Sequence, residues 1–101
     1  MLIAFSVAPS GTGRSDGSVH DVVAAAVRVV RDSGLPNHTG SMFTEIEGEW
    51  DEVMAVVKAA TDAVAPFGSR VSLVLKADIR PGFTGEITAK VERLEARLTT
   101  T

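Results

Sequence analysis

Cysteine and tyrosine are both absent from this 101-residue chain, and tryptophan occurs once. Without cysteine there is no disulfide framework, no thiolate nucleophile and no Cys-ligated metal. An excess of positive charge is missing too: 10 basic residues stand against 13 acidic ones, for a net charge of −3. Nucleic-acid affinity comes mostly from neutralising phosphates along a basic stripe, so neither nucleic acid nor an anionic membrane is expected as a partner. No apolar run approaches the roughly 20 residues that span a bilayer. The start, "MLIAFSVAPS", lacks the basic n-region and cleavage site of a signal peptide. Cytoplasmic residence is the expectation. The two histidines, His20 and His38, form neither an HxH nor an HxxxH frame, so no metal site is expected.

What is present reads as one α+β domain over residues 1–101. "LIAFSVA" (Leu2–Ala8), rich in β-formers and closed by Pro9, predicts a strand buried on both faces. Val19, Val22, Val23, Ala26, Val27 and Val30 then recur at helical spacing, with Ser18 as N-cap and Gly34 and Pro36 as the stop. "NHTGSMFTEIEG" predicts two short strands in a hairpin, broken around Gly40–Met42. A second helix follows, with Glu49, Asp51 and Glu52 at its positive end and Trp50, Val53, Met54, Val57 and Val64 as its buried stripe. "RVSLVLKADIR" (Arg70–Arg80) is the clearest strand. "EITAKVERLEARL" is a final helix with Ile87, Val91, Leu94 and Leu98 inward and a Glu86–Lys90 pair outward.

The order is β-α-β-β-α-β plus a C-terminal helix. It predicts the ferredoxin-like sandwich, a four-stranded antiparallel sheet with two helices on one face. The other face needs a cover, so the chain is expected to form a homodimer or homotetramer through sheet packing.

The glycines of "SGTGRSDGS" (Ser10–Ser18) raise the question of a phosphate loop. Gly11, Gly13 and Gly17 fit neither the P-loop spacing, which also needs a lysine, nor the dinucleotide fingerprint. The stretch reads as a turn into the first helix. Glu45 and Glu47 share one face of their strand, and Thr44 and Ile46 share the other. Paired carboxylates can do acid–base work but are more often solvated. Asp78 and Arg80 read as a surface ion pair. With no Cys nucleophile and no Gly-x-Ser-x-Gly elbow, no catalytic residue is assigned.

Four segments, "IAFSVAPSGTG", "MFTEIEGEWDEV", "KADIR" and "VERLEARL", occur in an order that resembles the small thiamine-binding (YkoF-like) family. Ser6, Pro9, Met42, Thr44, Ile46, Glu47, Gly48, Asp78 and Arg80 carry the match. The family usually flanks the methionine with proline and glycine, where this chain has Ser41 and Phe43. The resemblance implies a non-catalytic, oligomeric binder of thiamine or its hydroxymethylpyrimidine half, with no further cofactor. On that reading Ser6, Thr44 and Glu47 supply polar contacts and Met42 and Phe43 an apolar wall. Asp78 bonds the ligand or orients a neighbour. An acidic protein with Phe5, Phe43 and Trp50 would suit the thiazolium cation. Two other classes stand beside this reading. One is a small cofactor-free enzyme on a dimeric α+β scaffold, which would need a histidine facing a pocket. The other is a regulatory module with no ligand.

Overall fold

The computed structural model describes residues 1–11 and 19–99, with side chains of the first helix described from residue 21 onward. The Ser18 cap, Gly13, Gly17 and the side chain of His20 lie outside the described residues. Strands β1 (Leu2–Ser10), β2 (Asn37–Thr39), β3 (Thr44–Glu47) and β4 (Arg70–Asp78) alternate with helices α1 (Val19–Asp32) and α2 (Trp50–Val64), and α3 (Glu86–Thr99) follows. The sheet order is β2-β3-β1-β4, antiparallel throughout. Two split βαβ units therefore interleave, each inserting a strand between the other's pair. This is the ferredoxin-like arrangement.

Register fixes what each face carries. Ile3 opposes Ile46 and Ala77, while Phe5 opposes Thr44 and Leu75. These residues face α1 and α2, and Ile3, Phe5 and Ile46 are buried with Val22, Ala26 and Val30 of α1 and Val53, Val57, Ala60 and Val64 of α2. The alternate residues Leu2, Ala4, Ser6, Glu45, Glu47, Lys76 and Asp78 belong to the opposite face. β1 is thus buried on one face, not two. It also runs through Pro9 to Ser10: beyond Phe5 its strand partner among the described residues is β4 alone, and proline is tolerated at such an edge.

Local chemistry sets the ends of α2. Glu49 and Glu52 form a reciprocal capping box, the Glu49 amide donating to Glu52 Oε1 at 3.1 Å. Trp50 is more than half exposed, so the core stripe is Val53, Val57, Ala60 and Val64, with Met54 half-buried. The first residue of the helix points away from the sheet that the later turns cover. After a short 3₁₀ turn at Ala65–Phe67, Gly68 passes so close to β1 that a Cβ there would sit 2.6 Å from the Ser10 carbonyl oxygen. Only glycine lets this crossover reach β4.

Ile46 is fully buried at the centre of this core. Ile46→Ala is expected to cost about 2–5 kcal/mol, read as a lower urea midpoint with an unchanged slope. A loss below 1 kcal/mol would contradict the packing described.

Candidate functional site

β3 is only four residues long, whereas β1 has nine. The β1–β3 ladder ends at Phe5–Thr44, and past it the β1 edge has no strand partner on that side among the described residues. The β2–β3 connection, residues 40–43, arches over this vacated edge. Gly40 makes the arch possible: its amide donates to the Phe43 carbonyl at 2.9 Å, and a Cβ there would lie 2.8 Å from that same oxygen. α1 closes the other side with Val23, Ala26 and Val27. The result is a half-open cleft of about 90 Å³, floored by Phe5, Ser6 and Val7 and rimmed by residues 39–44.

Four of the six residues expected to bind a ligand border this cleft: Ser6, Met42, Phe43 and Thr44. Thr44 is on the helix-facing side and half-buried. Met42 is 80% exposed and Phe43 39%, and both lie on the solvent side of the cleft. Ser6 opposes Val74 on the other face, so strand alternation directs its hydroxyl away and leaves its backbone to the cleft. Val23, Ala26, Val27 and Thr39 are lining residues that sequence reasoning missed. No sequence signal set Val23 apart from the core stripe of α1; its half exposure shows only in the structure.

Glu47 and Asp78 lie elsewhere, on the opposite sheet face. The Glu47 carboxylate accepts two backbone N–H bonds, from Glu86 to Oε2 and from Ile87 to Oε1, each 3.0 Å. It is 5% exposed. Those amides open α3, whose preceding residue, Gly85, has φ of +69° and no side chain to cap with. A strand carboxylate 39 residues upstream supplies the cap that Gly85 cannot. Asp78 pairs with Lys90 of α3, and Glu86 pairs with Arg93 Nη2 at 2.6 Å. The Glu86–Lys90 and Asp78–Arg80 pairs read from the sequence are therefore replaced. Arg80 instead lies 3.6 Å over the Phe83 ring. His38 is exposed on the same open face, Nδ1 3.3 Å from Glu45 Oε1.

α3 is held at its N-terminus rather than along its length. Ile87 is half-buried, but Val91, Leu94 and Leu98 are 56–62% exposed, not inward. Between α3 and the β2–β3 edge lies an open groove of about 410 Å³ bordered by His38, Glu45, Ile87 and Val91.

Comparison with known proteins converges on one group. The profile of the family described as "Thiamine-binding protein" matches residues 3–95. The chain belongs to the thiamine-binding protein family. A UPF0045 protein of Mycobacterium bovis is 54% identical over 99 residues, covering 97% of this chain and 94% of that one. A UPF0045 protein of Synechocystis is 33% identical, over 97% of this chain and 79% of that one. Among solved structures, a hypothetical protein of Methanocaldococcus jannascii superposes with a TM-score of 0.79 at 30% identity, covering 93% and 94% of the two chains. A candidate thiamine biosynthesis/salvage protein of Thermotoga maritima gives 0.72 at 28% identity, covering 91% and 97%.

The ionic contacts of α3 give the family fold a defined acid limit. The Arg93 hydrogen bond holds the Glu86 carboxyl below its ordinary value against the opposing effect of desolvation. The Lys90 hydrogen bond and charge lower Asp78. Both groups bind protons less readily folded than unfolded. Their stabilisation is complete above the ordinary carboxylate values of about 3.9–4.3 and is lost as pH falls through the depressed ones. Acidification is therefore expected to release α3, seen as faster amide exchange at Glu86 and Ile87. Glu47→Ala should produce the same release at neutral pH and cost about 1–3 kcal/mol. Unchanged protection of those two amides in that variant would refute the cap.

Proposed function

We propose that this protein binds thiamine or its hydroxymethylpyrimidine half, without chemistry on it, as a cytoplasmic homodimer or homotetramer. The observation that carries the reading is the β1 edge left bare past Phe5 under the 40–43 arch. A free strand edge offers an N–H beside a C=O, and an aminopyrimidine presents an acceptor beside a donor. The Thr44 hydroxyl stands at the end of that edge to take a further bond. Phe5, Val27, Met42 and Phe43 provide apolar surface for the ring faces.

Size favours the pyrimidine as the recognised half. The cleft's 90 Å³ is less than the roughly 150 Å³ of an apolar cavity that takes benzene. One ring enters as Met42 and Phe43 swing aside, and a second ring stays in the mouth. Membership of the thiamine-binding family and the thiamine-salvage name of the Thermotoga maritima neighbour support the ligand class. Non-catalytic binding is consistent with the composition, since the chain has neither cysteine nor tyrosine. His38 lies on the far sheet face beside Glu45.

Assembly follows from the open face. Val74 of β4 and Val91 and Leu94 of α3 are each more than half exposed, and a second copy placed over the sheet would cover them. This keeps the sheet-packed oligomer as the quaternary reading.

Titration calorimetry with hydroxymethylpyrimidine and thiamine is expected to show saturable binding. Thr44→Val should weaken the pyrimidine about tenfold while leaving the melting temperature within a few degrees. No heat from either compound at millimolar concentration would overturn the ligand assignment. Light scattering on a sizing column is expected to give a dimer or tetramer mass, and Leu94→Glu to reduce it. A monomeric wild-type protein at high concentration would overturn the assembly.

A further inference from the structure

The cleft contains no carboxylate: every described side chain lining it is apolar or hydroxyl-bearing, apart from one glycine. The two acids expected among the ligand contacts, Glu47 and Asp78, are committed to α3 on the opposite face. Among the described residues, the charges that adjoin the cleft come from α1. Val27 lines both the cleft and a neighbouring surface hollow of about 320 Å³, which is bounded by Arg28, Arg31 and Asp32. Arg31 Nη2 donates to Thr39 Oγ1 at 3.2 Å, and Thr39 is on the cleft rim. That bond ties the hollow to the cleft. Arg28 is exposed and its guanidinium makes no hydrogen bond or ion pair among the described residues. Two guanidiniums against one carboxylate leave this spot cationic in a chain of net charge −3.

We propose that the site takes its pyrimidine as a phosphate monoester, with the ring in the cleft and the phosphate in the hollow between Arg28 and Arg31. The inference rests on the function proposed above and narrows it. A phosphate monoester carries about −1.5 to −2 charges at neutral pH, and guanidinium forks match its oxygens in bidentate geometry. Residues 28 and 31 are one helical turn apart, so both can reach one group. Arg31 is already oriented by Thr39, which lowers the ordering cost of a bidentate contact. A thiazolium would instead meet two like charges. The order of affinity is therefore phosphorylated pyrimidine, then the neutral alcohol, then thiamine.

Calorimetry with hydroxymethylpyrimidine and its phosphate monoester, each on wild type and Arg28→Gln, tests this. In wild type the ester is expected to bind at least about tenfold tighter than the alcohol, with the advantage shrinking as salt is raised. In Arg28→Gln the ester-to-alcohol ratio should fall toward one. Because the ratio is internal to each protein, a general loss of folding cannot mimic the result. Equal affinities in wild type, or a ratio untouched by Arg28→Gln, would overturn the phosphate assignment while leaving pyrimidine binding intact. Absence of binding by both compounds would overturn both.

Discussion

The carboxylate of Glu47 organises the part of the chain that follows the βαββαβ sandwich. It accepts the first two amides of α3 at 3.0 Å each, at a helix whose own N-cap is a glycine. Without that acceptor, two N–H groups at this junction would lose their partner, a loss on the order of 1–3 kcal/mol in all. The Glu86–Arg93 and Asp78–Lys90 pairs add to the same end of the helix. α3 is thereby fixed at its first turn, and its later turns, with Val91 and Leu94 exposed, border the open sheet face. The apolar surface available to a second copy follows from one capping interaction.

The same commitment shapes the ligand site by subtraction. Thr44 and Glu47 are three residues apart on one strand, so they occupy opposite faces. Thr44 goes to the cleft and Glu47 to the α3 junction. Among the described residues the cleft is left without an acid, beside a pair of arginines on α1. A chain acidic overall thus carries a locally cationic spot. Net charge describes solubility and long-range fields, not the potential at one pocket.

Much of the fold was legible because it rests on period and punctuation. The hairpin, β4 and the two core helices follow from alternation, helical spacing and their Gly and Pro stops. Parity even separated Thr44 from Glu47 before any coordinates, since Glu45 and Glu47 share a face that Thr44 and Ile46 do not. The family resemblance nonetheless grouped all six residues as ligand contacts. Segments such as "TEIEGE" and "KADIR" can hold a fold together as readily as a ligand, and here Glu47 and Asp78 do so. Other features were not legible because they depend on tertiary context. Trp50 has the right spacing for the core but sits on the first turn, outside the sheet's cover. Leu94 has a helical stripe's spacing yet stays more than half exposed. The cleft arises from a mismatch in strand length, four residues against nine; the short hairpin strands were legible, but which stretch of β1 they leave uncovered depends on register.

The central claim is that ligand recognition takes place at the bare β1 edge under the 40–43 arch and not around Glu47 and Asp78. Amide chemical-shift mapping on the labelled protein during titration with hydroxymethylpyrimidine tests it most directly. Shifts are expected at Ser6, Val7, Val27 and residues 39–44, with Glu47, Asp78 and Glu86 unmoved. Shifts centred on Glu47, Asp78 and the start of α3, with the cleft silent, would contradict it.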